Sequence, residues 1–465
     1  MNLIHNDSGL GHLLPEIRLL IVAIILHVLL ALTIQFVASF ALMPEYVDSH
    51  GVFTYDSLDY RTEAISLANT FHREGLLAWV DAPSPLHIRL YSLCYIGTGA
   101  LFTLDVLAVE PLNLSYYLFT LSLIYAICRE VFSQQAGLLA ASIVAFWPSF
   151  LLHTVQFLKD PLYIVCILAL VLVLVSCLTR NYSLRAGVAL GVVGALLTLL
   201  LWPVRNNMWG LVPVFIGEAT LLLILRQLLE KHISFGNILC AILLITACLW
   251  FPDVFRGSEP RSNVVLSNPP ASNIQPVVQT STSEAKPKSP SYLTVLESKL
   301  DYIASEINRL RTGFIKSYIN GGSNIDVNVR FNGVGDVIRH LPRAWLIGFF
   351  SPFPEMWFSP GKEVGYAGRL LAAFETALMY LNFPLMLFGL WKARRKWGAW
   401  QLIIISLTTL TVLGMIVTNI GALYRMRFAY WMLLVIVGAN GILHLREVLR
   451  YKDASRSSVN TRQVG

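Results

Sequence analysis

Asp56, Asp59 and Glu63 fall within the stretch Tyr55–Ala64, at spacings of three and four residues. On a helix that spacing puts all three carboxylates on one face. Carboxylates grouped in this way can take a proton from an attacking hydroxyl or orient it. Beside them runs an apolar stripe of Tyr60, Ala64, Leu67 and Phe71, enough to lay such a helix on a bilayer surface. Other charges punctuate long apolar stretches: Lys159-Asp160 just before Pro161, Arg205 in Pro203-Val204-Arg205-Asn206-Asn207, Arg343 after Pro342, and Arg425 and Arg427 ahead of the last apolar run. Arg presents a planar fork that matches phosphate oxygens, so these cations suit a phosphate-bearing substrate. Each residue also has a structural alternative. Asp56 and Asp160 are good helix N-caps, the latter with Pro at the first helical position, and boundary cations can be snorkelling anchors.

The elements that must position these residues cross a membrane. Hydrophobic residues make up 55% of the 465, only 14% are charged, and soluble domains carry about a quarter. The mean hydropathy is +0.61. Apolar runs of about twenty residues cross a ~30 Å hydrocarbon core as helices. The expected spans are about 18–43, 112–128, 137–152, 161–178, 186–203, 208–225, 236–254, 366–390, 399–419 and 428–445. The first is too long and too late for a cleaved signal peptide. Stretches 88–109 and 342–357 are not counted as spans, because counting either alone would put basic loops on the wrong side of the positive-inside rule; the second, broken by Pro352 and Pro354, reads as an interfacial or re-entrant element. The fold class expected is therefore an all-α polytopic membrane helical bundle of about ten spans, with interfacial juxtamembrane helices and a partly disordered external loop. Both termini and the basic loops face the cytoplasm, and Asp56, Asp160 and the site cations share the outer face. Trp147, Trp202, Trp209 and Trp250 would mark outer span ends and Trp391, Trp397 and Trp400 inner ones.

The chain divides into an N-terminal membrane domain, 1–254, with a juxtamembrane loop at 44–111; an external segment, 255–341; an interfacial element and C-terminal spans, 342–446; and a basic tail, 447–465. Residues 256–292 are rich in Pro, Ser and Asn and read as a linker that cannot bury a core. Residues 293–312 form an amphipathic helix with Leu296, Leu300, Ile303, Ile307 and Leu310 on its packing face, and Gly321-Gly322-Ser323-Asn324 turns the chain back. The six cysteines lie in apolar surroundings without metal-ligand spacing and read as buried thiols. No cofactor is indicated. Converging carboxylates could hold a divalent cation, but no spacing points to one. No Gly-rich phosphate loop, Ser-His-Asp or Asp-x-Asp signature is present, and the net charge of +7 reports orientation rather than nucleic-acid binding.

Four stretches resemble the GT-C superfamily of membrane glycosyltransferases: Asp56-x-x-x-Tyr60-x-x-x-Ala64 after the first span; Pro83-Ser84-Pro85-Leu86 through Tyr95 and Gly97; Gly137 through Trp147-Pro148 to Leu158-Lys159-Asp160-Pro161; and Tyr424-Arg425-Met426-Arg427 leading into the last span. The segment from Leu341-Pro342-Arg343 to Pro352-Phe353-Pro354 looks like one in uncharacterised bacterial relatives. Two features depart from the pattern. Ala429 stands where Pro is common, and a linker plus helix replaces a compact external domain.

The resemblance implies transfer of a sugar from a polyprenyl-phosphate donor to a glycan, lipid or protein acceptor at the outer face of a bacterial inner membrane, with inversion. Asp56 would be the base, Asp160, Asp59 and Glu63 its supporting carboxylates, and Arg425, Arg427, Arg205, Arg343 and Lys159 the donor-phosphate ligands. A polysaccharide-synthesis complex is a further expected partner. Competing expectations are a polysaccharide polymerase or ligase, a transporter or flippase of lipid-linked glycans, and a non-catalytic scaffold.

Overall fold

A computed structural model of the chain describes residues 14–43, 46–102, 105–255, 292–318, 321–359, 361 and 365–463, and every regular element among them is a helix. In order these are α1 Leu14–Ser39, α2 Tyr55–Glu74, α3 Leu76–Asp81, α4 Leu86–Phe102, α5 Glu110–Val131, α6 Gln134–Ala145, α7 Pro148–Thr154, α8 Asp160–Thr179 and α9 Leu184–Arg205. They continue as α10 Leu211–Glu230, α11 Phe235–Phe255, α12 Tyr292–Ser317, α13 Val334–Phe350, α14 Gly365–Lys392, α15 Trp397–Ile416, α16 Ile420–Met426 and α17 Phe428–Gln463. The chain is an all-α, multi-pass membrane bundle. Among the described residues eight helices are long and apolar enough to cross a bilayer: α1, α5, α8, α9, α10, α14, α15 and α17. The pair α6–α7 passes the test only when taken together, with a 69° bend between its halves, and α11, apolar over Phe235–Trp250, is too short for it.

Contacts at the two ends of the bundle fix an alternating course. At one end Arg180 donates to Glu130, Arg226 donates to the Arg180 carbonyl at 3.2 Å, and Trp397 donates to Glu230 at 3.2 Å. The starts of α8 and α17 and the end of α9 meet at the other end. The described helices thus include eight or nine candidate spans, against the ten expected from the apolar runs. The expected third span, 137–152, is broken at Phe146–Trp147. Pro148 has no N–H to donate and pushes Trp147 into extended backbone, φ −78° and ψ 109°.

Four other elements depart from expectation. The apolar stripe of α2 does not lie open toward a bilayer: Ala64 and Leu67 pack on Ile88, Tyr91 and Tyr95 of α4 and on Val106 and Val109 of a following 3-10 turn. α13 begins well before residue 342 and runs through Pro342, so the second ambiguous stretch is the end of a longer helix. The α12 face that packs consists of Ala304, Ile307 and Arg311, whereas Ile303 is exposed. The side chains of Leu296 and Leu300, and the linker 256–291, lie outside the described residues. α17 continues without a break through Gln463, beyond the expected end of the last span.

Small residues set the closest packing. A Cβ on Gly348 would stand 1.9 Å from the Leu410 carbonyl oxygen, and one on Gly414 would stand 2.0 Å from that of Ala344. As residue numbers rise along α13 they fall along α15, so α13 packs antiparallel against the spanning helix α15. Such backbone-to-backbone approach replaces the hydrophobic drive that lipid cannot supply between helices. Substituting Gly414→Val should lower stability by about 1–3 kcal/mol, as overpacking does. Gly217, with nothing within 4 Å of its Cβ direction, should accept Ala freely. Thermal unfolding of both variants in detergent checks this: equal midpoints would show that the α13–α15 contact is not a tight one.

Candidate active site

Four stretches far apart in sequence bring their charges to one end of the bundle. The first is the start of α2, where the Thr54 side chain caps the helix by accepting from Ser57 N at 3.2 Å. Thr54 thus takes the capping task and leaves the Asp56 carboxylate free to accept from Arg425, at 2.8 Å. The second is the loop from α7 to α8. Its Gln156 is fully buried, donating to the Gly51 carbonyl at 3.0 Å and accepting from Phe53 N at 3.2 Å. Leu158 donates to the Tyr91 hydroxyl at 3.1 Å and its carbonyl accepts from that hydroxyl at 2.9 Å. This loop therefore locks the entry to α2 against the start of α8. Asp160 caps nothing with its side chain; it opens α8 and is paired with Arg205, the last residue of α9, at 2.6 Å. Both partners are 7% exposed.

The fourth stretch is α16, a seven-residue helix between α15 and α17 that carries Arg425. It is held by Asn419, which caps Ala422 N at 3.0 Å and donates to the Asn324 side chain at 2.9 Å. The turn at 321–325 docks on the same strip, with Ile325 N donating to the Thr418 carbonyl at 2.8 Å and Ile420 N to that of Ser323 at 3.0 Å. That contact brings Tyr318, just past the end of α12, beside Arg425. Burial alone would loosen the Arg425 proton, but Asp160 and Asp56 hold its guanidinium charged, above its ordinary value. Lys159 is pushed down from the usual lysine range by burial and then by Arg205. Its ammonium has no carboxylate within 4.0 Å among the described residues and lies 5.8 Å from the centre of the Tyr60 ring. Burial, Asp56 and Asp160 push the Tyr60 hydroxyl up to about 12.

Lys159, Arg205 and Arg425 thus stand against Asp56 and Asp160, an excess of one positive charge. Of the residues picked from sequence, these five converge and four others do not. Asp59 and Glu63 sit on the exposed side of α2 and make no ion pair with a described residue. Arg343 is on the exposed side of α13, paired with Asp326 at 3.2 Å. Arg427 is fully buried elsewhere, donating to the Gly348 carbonyl at 3.2 Å and Ser351 Oγ at 3.3 Å, with its guanidinium 3.7 Å from the centre of the Trp431 ring. Sequence reasoning missed Tyr60, His87 and Tyr318 as neighbours of the cluster. It also missed Glu375 as the buried acceptor of the Ser149 N–H at 2.6 Å and of the Tyr424 hydroxyl, which fastens α7 to α14 and α16. Among the described residues no group of three His, Cys, Asp or Glu side chains is placed to hold a metal ion.

No family model matches the chain, and no curated protein matches it in sequence. Among solved structures it is similar to the oligosaccharyltransferase of Archaeoglobus fulgidus in the apo form, with TM-score 0.44 and 13% identity over 92% of this chain and 52% of that one. It is similar to AglB of the same organism in complex with an inhibitory peptide and a dolichol-phosphate, with TM-score 0.43, 13% identity and the same coverage. It is also similar to ArnT from Cupriavidus metallidurans bound to undecaprenyl phosphate, with TM-score 0.35 and 13% identity over 90% of this chain and 77% of that one. The chain spans about half the length of the two archaeal structures.

Two predictions follow from the electrostatics. Arg205→Met strands Asp160 in a site sealed from water, which should cost about 3–5 kcal/mol, and adding Asp160→Leu should recover most of it. A detergent melt in which the double variant is no more stable than the single one would show that the pair is not the cause. Burial and the Lys159 charge push the His87 imidazole down to about 4. An unfolded histidine titrates near ~6.5, so the unfolded chain binds the proton first. The stability owed to neutral His87 is then present above pH ~6.5 and is lost as pH falls through the folded value. Melting midpoints should drop more steeply over that window in the wild type than in His87→Leu; parallel curves would contradict it.

Proposed function

We propose that the chain is an integral membrane glycosyltransferase that moves a sugar from a polyprenyl-phosphate donor to an acceptor hydroxyl at the outer face of the membrane. The observation that carries this reading is the meeting of the Asp56–Arg425 and Asp160–Arg205 pairs with unpaired Lys159 at one end of a lipid-embedded bundle. A net positive cluster with a reachable carboxylate suits departure of a phosphate and activation of a hydroxyl in one place.

In this reading the chemistry divides by exposure. Asp56, 45% exposed, takes the acceptor proton as the hydroxyl attacks the anomeric carbon, and the bond to the phosphate oxygen breaks on the opposite side, inverting the centre. Arg425 and Lys159 neutralise the charge that grows on the leaving phosphate, the kind of preorganised electrostatic help expected to contribute most to the rate. Asp160 is sealed against Arg205 and acts by fixing that guanidinium and sustaining the charge on Arg425, not by exchanging protons. Asp59, Glu63, Arg343 and Arg427 lie away from the cluster and take no part in the proposed step. The acceptor, the sugar, a bacterial inner membrane and an inward placement of both termini belong to the same proposal, by resemblance.

The test is transfer by the purified protein in nanodiscs with labelled polyprenyl-phosphate sugars. Asp56→Asn should lower kcat/KM at least ~10²-fold, as loss of a general base does, while the melting midpoint stays within a degree or two. Turnover matching the wild type would remove Asp56 from the mechanism. The product gel also separates the competing enzyme: one added sugar fits the transferase, and a ladder marks a polymerase.

A further inference from the structure

His87 opens the helix packed against α2, is 5% exposed, and leaves both ring nitrogens without a hydrogen-bond partner. A buried polar atom left unmade is costly, and native interiors rarely tolerate one without a ligand or water to meet it. The ring meets the Tyr60 ring edge-on with centroids 4.6 Å apart, and Lys159 stands over the same Tyr60 ring at 5.8 Å. The charges acting on His87 are those of the cluster itself: Lys159, Asp160 and Arg205. The orphaned imidazole, the Tyr60 ring and the unpaired ammonium therefore form a polar patch that adjoins the phosphate cations.

We propose that His87, with Tyr60, forms the subsite that receives the hydroxyl-bearing ring of the transferred sugar, and that His87 helps determine which sugar is accepted. This rests on the glycosyltransferase reading above. The chemistry favours a hydroxyl over a second anion. An uncharged imidazole offers one N–H donor and one acceptor nitrogen, and a hydroxyl can answer either. A phosphate or carboxylate only accepts, so it would leave the second nitrogen unmet. An aromatic ring beside that donor–acceptor pair suits the apolar C–H face of a pyranose, and Lys159 links the patch to the phosphate that the sugar leaves.

Binding of two kinds of lipid to the full-length protein in nanodiscs separates this subsite from the reading it rests on. One probe is undecaprenyl phosphate; the others are undecaprenyl phosphates carrying glucose, galactose, mannose or N-acetylglucosamine. The wild type should bind at least one sugar-bearing lipid about ten-fold more tightly than undecaprenyl phosphate, and His87→Leu should erase that margin while binding undecaprenyl phosphate unchanged. His87→Gln, which keeps a donor and an acceptor, should retain part of the margin and guards against a misfolded Leu variant. Equal margins in the wild type and both variants, or no sugar preference in the wild type, would overturn the subsite while leaving the phosphate site standing. Failure of every lipid to bind the wild type would overturn both.

Discussion

The buried bond between Asp160 and Arg205 is the constraint on which the rest of the site depends. Neither charge tolerates a low-dielectric setting alone, so the start of α8 and the end of α9 must stay in register. Once that pair is fixed, the loop ahead of it is fixed as well, and Gln156 carries the constraint to the turn that starts α2. Asp56 and Arg425 can then meet at 2.8 Å while Asp56 keeps nearly half its side chain open. A sealed ion pair thus holds an accessible one in place, a division of labour suited to a site that must be both rigid and reachable.

Two means of packing support this arrangement. Where helices only need to be close, glycines remove the side chain: Gly348 and Gly414 between α13 and α15, and Gly389 and Gly441 between α14 and α17. Where they need a fixed angle, buried polar side chains bind a helix-end amide or one another. Glu375 satisfies an amide at the start of α7, and His27 bridges Glu110 at 2.7 Å and Thr154 at 3.1 Å, tying α1 to α5 and α7. The 69° bend after Phe146 would otherwise leave α7 with little to hold it.

Much of this was legible in the sequence because charge is scarce there. In a chain only 14% charged, a cation or carboxylate at a span boundary stands out, and Asp56, Lys159, Asp160, Arg205 and Arg425 do converge. Direction was harder to read than position. Asp59 and Glu63 follow the helical spacing from Asp56, yet the turn of α2 carries them to the exposed side, because Ala64 and Leu67 claim the covered face. Arg343 looked like Arg205, a cation near a proline, but its helix starts earlier than the proline suggests and presents it to Asp326. Tyr60 was read as part of an apolar stripe and not as a site residue, and His87 is a single ring with no partner at ligand spacing in the sequence. Tyr318 depends on the docking of the 321–325 turn, a long-range contact that local pattern does not encode.

Arg425 and Arg427 are separated by a single residue, yet they serve opposite ends. One pairs with the half-exposed Asp56 and the other is sandwiched against Trp431 and Tyr424, holding the end of α13. The break between α16 and α17 at that point works as a gauge of length. Deleting or inserting one residue there would rotate the ion-paired arginine toward the aromatic slot and the anchoring one out of it. Natural variation in this stretch should therefore take the form of replacement and not of indels, since the spacing itself is what the fold reads.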